Sequence, residues 1–133
     1  MYAITADATH NLVEVVLGGL LSVAETDSYI ADLRHEMARH RIHAGYGFVL
    51  DVSECTVQTQ DMLQAMGRHM ATMPKAGSIA IVSTSQLARR QIRRLFDQPY
   101  ARIVASVADA RAWVSDRIEP PGDLPDRDPT AAR

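Results

Sequence analysis

"SIAIVSTSQLARRQIRRLF", Ser78 to Phe96, decides how the chain is read. Its first six residues carry no charge and read as a strand. Ser83, Thr84 and Ser85 then offer caps for a helix that stops before Pro99. That helix carries four arginines in six positions, and a wheel sorts them. With Leu87 at zero and about 100° per residue, Ala88, Ile92, Leu95 and Phe96 fall between roughly 80° and 180°. Arg89, Arg90, Arg93 and Arg94 fall between roughly 200° and 340° on the same wheel. The arginines are therefore expected on the solvated face opposite the core, and an acidic partner or a phosphate group is the other use such a face has. Arginine outnumbers lysine thirteen to one in the chain, so the cluster also reflects a general habit of this sequence.

Outward from this stretch, apolar periods of two kinds alternate. "YAITAD" and "LVEVVL" read as two strands joined through Thr9, His10 and Asn11, an antiparallel hairpin. From Glu25 to about Arg41, Ile30, Leu33 and Met37 recur at helical spacing. "YGFVLDV" is a continuous apolar strand carrying Asp51 at its end. Thr59 caps a second helix whose stripe is Met62, Leu63, Met66, Met70 and Met73, closed by Pro74 with Gly77. "YARIVAS" is a fifth strand, and "VADARAWV" opens a last helix that buries Ala110, Trp113 and Val114. The order β-β-α-β-α-β-α-β-α predicts an α/β fold: a mixed sheet of about five strands with an N-terminal antiparallel hairpin, packed with about four helices.

Composition sets the bounds. A chain of 133 residues, 47% hydrophobic, suffices for one domain with a core that needs neither disulfide nor metal. A single cysteine, Cys55, fits a reducing compartment, and "LVEVVLGGLL" is far shorter than the ~20 residues a spanning helix needs, so a cytoplasmic location without a membrane span is expected. Residues 119–133 hold Glu119, Asp123, Asp126 and Asp128 against Arg127 and Arg133, with prolines at 120, 121, 125 and 129. They read as a disordered tail, which leaves residues 1–118 as the domain. Without the tail, 14 bases and 16 acids become 12 and 12, and a neutral domain lacks the basic excess of a nucleic-acid module.

The element order, with "LGG" closing the second strand, "FVLDVSE" at the third, "AIVSTSQLARRQIRRLF" and "SVADARAWV", resembles the SpoIIAA-like family within the STAS-type fold, over nearly everything up to Ile118. The resemblance implies a regulatory or binding module. Anti-anti-sigma STAS domains carry a phosphorylatable serine in an Asp-Ser-Ser-Gly-like turn after the third strand. Here that region reads "DVSECTVQTQDML": the serine and the glycine are missing, and Thr59 is the candidate that remains, weighed against a plain N-cap. SpoIIAA-like sequences are also compared with CRAL-TRIO lipid-binding domains, which implies an apolar ligand or a protein partner.

Chemical motifs are scarce. "HEMARH" fails as a zinc-protease pattern because His35 and His40 are five apart, about 140° around a helix. Cys55 has no identifiable base beside it, and adjacent glycines in "LGGLLS" lack the spacing of a phosphate loop. No catalytic residue, metal set or cofactor is expected. The methionine stripe, Met62, Met66 and Met70 with His69 at its edge, is a deformable apolar face that either packs on the sheet or lines a ligand cleft or dimer contact. Gly67, inside the same helix, costs about 1 kcal/mol relative to alanine and suggests close approach of something there. Partner-binding candidates are therefore Met62, Met66, His69, Met70, Arg89, Arg90, Arg93 and Arg94. A protein partner, a homodimer and a small amphipathic ligand all stay open.

Overall fold

The structure is a computed structural model and describes residues 1–56 and 58–121. From residue 122 onward the expected tail lies outside the described residues, as does Val57. Strands β1 (Tyr2–Asp7), β2 (Leu12–Gly19), β3 (Gly47–Cys55), β4 (Ser78–Val82) and β5 (Ala101–Val104) alternate with helices α1 (Val23–Arg39), α2 (Gln60–Ala71), α3 (Gln86–Leu95) and α4 (Val107–Asp116) in the expected order. They form one sheet in the order β1-β2-β3-β4-β5. β1 and β2 are antiparallel and every later pair is parallel.

Each element begins where side-chain chemistry lets it. Asn11 adopts φ 52° in the hairpin turn, a conformation asparagine tolerates, and its amide is bonded to both N–H and C=O of His43. Helix α1 starts two residues before the Glu25 read from the apolar spacing. The cause is a capping box: the Ser22 hydroxyl accepts from Glu25 N–H at 3.0 Å, and the Glu25 carboxylate accepts from Ser22 N–H. The hydroxyls of Thr59, Ser85 and Ser106 cap α2, α3 and α4 by accepting from the N–H of Met62, Ala88 and Asp109, without a reciprocal carboxylate. Helix α2 ends at Ala71, so Met73 lies in the following loop rather than on the helix.

Strands laid side by side in chain order, with right-handed crossovers, send α1, α2 and α3 to one face. That face holds Val13, Val15, Leu17, Phe48, Leu50, Ile79 and Ile81 from the sheet, met by Tyr29, Ile30, Leu33, Met62, Met66, Ile92 and Phe96. The other face is left to α4, which sets Ala110, Trp113 and Val114 on Val49, Ala80, Val82 and Val104. Arg111 of α4 is held by both oxygens of Glu14 at 2.9 Å, and Arg102 lies 4.3 Å over the Trp113 ring while binding Glu119.

Two loops lock the end of the sheet where the parallel strands begin. Gly77 N–H donates to Tyr46 O and Gly45 N–H to Lys75 O, each at 2.8 Å. A Cβ on Gly77 would stand 2.5 Å from the Gly45 carbonyl oxygen, a backbone atom with little room to yield. Gly77→Ala is therefore expected to lower stability by roughly 1–3 kcal/mol. Urea denaturation checks this: the midpoint falls and the slope is unchanged.

Candidate functional site

Helix α2 stands over the sheet without filling the space beneath it. Under its C-terminal half lies a cavity of about 430 Å³. Met66, Gly67, Met70 and Met73 form its roof, Phe48, Leu50 and Ile79 its floor, Tyr29, Ile30 and Leu33 of α1 one wall, and Leu95 and Phe96 of α3 another. Polar atoms sit toward the rim. Tyr46 Oη donates to Pro74 O at 3.1 Å, and Tyr100, Gln98 and Lys75 complete the lining. Burial pushes the Tyr29 phenol well above its ordinary value, and burial followed by nearby Tyr100 raises Tyr46, so both rings stay neutral at physiological pH. Oε1 of Gln98 is shut from solvent without a hydrogen-bond partner, a state that costs a buried acceptor about 1–3 kcal/mol and favours turning the amide toward a donor. Gly67 answers the hint in its sequence position. A Cβ there would meet nothing closer than Leu95 Cδ2 at 3.9 Å, so the glycine leaves cavity open rather than making room for another chain segment.

A second, smaller void of about 60 Å³ lies near the start of α2, between the sheet and α3. Met62, Leu63, Met66, Cys55, Gln58 and Gln91 line it. Gln58 fastens three elements: Oε1 accepts from Leu21 N–H at 2.9 Å, Nε2 donates to Gly19 O at 3.0 Å, and its backbone exchanges two hydrogen bonds with the Gln91 amide. Cys55 is half-buried, and desolvation pushes its thiol up to about 11. Asp51, at the end of the buried part of β3, accepts from Ser53 N–H at 3.0 Å and so orders the strand end.

The residues singled out from sequence separate. Met66 and Met70 line the large cavity together, while Met62 faces the small one. His69 is not in either lining. It turns to α1, where Nε2 lies 2.8 Å from Asp27 Oδ1, and its carbonyl accepts from Arg34, which also binds the Thr72 hydroxyl. Thr59 is exposed and its hydroxyl oxygen accepts from Met62 N–H at 3.2 Å, the geometry of an N-cap. Arg90, Arg93 and Arg94 are exposed. Arg89 is not: it is 4% exposed and donates to Ser83 O at 3.1 Å. The solvated-face assignment fails for this residue because the buried arc of α3 centres on Arg89, Ile92 and Phe96, about 40° beyond the arc taken from the apolar residues alone. Leu87, at the seam of the wheel, is correspondingly 59% exposed. Among the described residues no group of three or more His, Cys, Asp or Glu side chains could hold a metal ion, and no helix is long and apolar enough to cross a membrane.

No family model matches the chain, and no curated protein matches it. A solved structure does. The crystal structure of an uncharacterised DUF3478-family protein from Shewanella loihica, described as having a SpoIIAA-like fold, aligns with a TM-score of 0.64 over 85% of this chain and 93% of that one. The chain has a SpoIIAA-like fold. At 14% identity the likeness is one of architecture, and it matches the five-stranded mixed sheet and four helices described above.

Two outcomes follow from this geometry. Arg89→Ala should destabilise the protein by about 1–3 kcal/mol, since it removes a packed stem and leaves Ser83 O without a donor, while Arg90→Ala leaves stability nearly unchanged; thermal melts of the pair check it. Cys55 should react slowly with thiol reagents at neutral pH. Its raised pKa keeps the nucleophilic thiolate scarce, so the native-state labelling rate should climb with pH until about 11, then level.

Proposed function

We propose that this SpoIIAA-like protein is a non-catalytic binding module that takes a small amphipathic ligand into the cavity beneath α2. The observation that carries this reading is the cavity itself. Its volume of about 430 Å³ falls in the range of small-molecule sites, roughly 300–1,000 Å³, and its lining is mostly apolar with a few polar groups at one end. Three of its roof residues, Met66, Met70 and Met73, are unbranched and polarizable, able to close on ligands of differing shape. The volume suits a small molecule better than a long lipid, which separates this reading from a lipid carrier of CRAL-TRIO type.

Catalysis is the weaker assignment. The Cys55 thiol is held protonated, and the Asp51 carboxylate is engaged by Ser53. A protein partner is the second reading, and a specific observation favours it: Arg90, Arg93 and Arg94 share one exposed helix face with Leu87, a surface suited to an acidic partner or to a second copy of the chain. The exposed Thr59 hydroxyl is the residue of this chain on which a phosphoswitch would act.

Gly67 supplies the test. Gly67→Phe projects a ring into open cavity, and Gly67→Ala removes only the helix penalty. Binding of 1-naphthylamine, followed by its fluorescence, should be saturable in the wild type and at least about tenfold weaker in Gly67→Phe, with the circular dichroism of both unchanged. Gly67→Ala should raise stability by roughly 0.5–1 kcal/mol. Equal binding by the wild type and Gly67→Phe would contradict the assignment.

A further inference from the structure

Lys75 is the chain's one lysine among fourteen basic residues, and it lines the large cavity. Among the described residues it is also the only charged one in that lining, and no carboxylate shares it. Among the described residues the Lys75 ammonium has no acidic partner. Its backbone is fixed, because Lys75 O accepts from Gly45 N–H at 2.8 Å, while its four-carbon stem remains free to swing a compact point charge over the opening. A second cation stands close by in the fold: Arg34 binds Thr72, between the lining residues Ala71 and Met73. The lining thus carries one positive charge, at Lys75, around an apolar interior. At ~30 Å³ per water-sized unit, the volume holds on the order of fourteen such units, which sets the ligand at ~10–15 non-hydrogen atoms.

We infer that the ligand is a small apolar monoanion, its body among Met66, Met70 and Phe48 and its negative head at Lys75. The inference rests on the ligand-site reading above and adds the sign and place of the head group. An ammonium at a half-open mouth gains by neutralising an incoming anion and repels an incoming cation, while leaving a neutral head group to solvent.

Three probes with one tail and different heads test this: decanoate, decan-1-ol and decylammonium, each titrated by calorimetry into the full-length protein. Decanoate should bind about threefold to tenfold more tightly than decan-1-ol, and decylammonium more weakly than both. Lys75→Gln should bring decanoate and decan-1-ol together, and Lys75→Glu should place decylammonium first. Lys75 is exposed, so neither variant threatens the fold. If decan-1-ol binds as tightly as decanoate, or Lys75→Glu leaves the order unchanged, the head-group assignment is overturned while the cavity stands as a site. If none of the three binds, the ligand-site reading itself falls.

Discussion

The handedness of strand-to-strand crossovers governs this molecule. Because β2, β3, β4 and β5 lie in the sheet in chain order, each right-handed connection returns on the same side, and three helices must share one face. The remaining face is served by α4 alone, and it is tightly closed: Gly47, Ser78, Ala80 and Ala110 are small enough for that helix to lie close to the strands. On the crowded face the helices cannot all approach equally. α1 packs Tyr29, Ile30 and Leu33 into the core at 1–2% exposure, while α2 buries only Met62, Ala65 and Met66. The void beneath α2 is what this unequal sharing leaves.

Side-chain choice keeps that void open at an acceptable energetic cost. Methionines line it where leucines would specify a tighter fit, and Gly67 puts no side chain into it. The polar clamps lie outside the void, at its two ends. Gln58 and Gln91 hold the start of α2 to β2 and α3, and His69 with Asp27, alongside Arg34 with Thr72, holds its end to α1. α2 is therefore pinned by hydrogen bonds at its termini and only lightly packed in between. Such an element can tolerate an occupant without unfolding its neighbours.

Element order was legible because strand and helix periods differ, and because Thr59 and Ser85 mark helix starts. The true start of α1 was legible too, in the spacing of Ser22 and Glu25, a signal that the apolar periodicity alone passes over. Arg89 was not. A wheel ranks residues by polarity, yet this guanidinium stem lies within about 20° of Phe96 and is drawn inward by the Ser83 carbonyl. The cavity could not be read either, since its walls come from six separate segments and its existence depends on the distance between α2 and the sheet. The methionines and Gly67 pointed to its roof; nothing in the sequence pointed to Tyr46, Gln98 or Tyr100 at its rim, and Lys75 was visible only as a compositional oddity.

The six methionines make the central claim directly observable. With the methyl groups labelled with carbon-13, a proton–carbon correlation spectrum reports Met66, Met70 and Met73 from the cavity, Met62 from the smaller void, and Met1 and Met37 from elsewhere. On addition of an apolar monoanion, the account predicts saturable shifts led by Met66, Met70 and Met73, with Met1 and Met37 unmoved. Shifts spread evenly over all six, or none at concentrations where the anion is soluble, would contradict it.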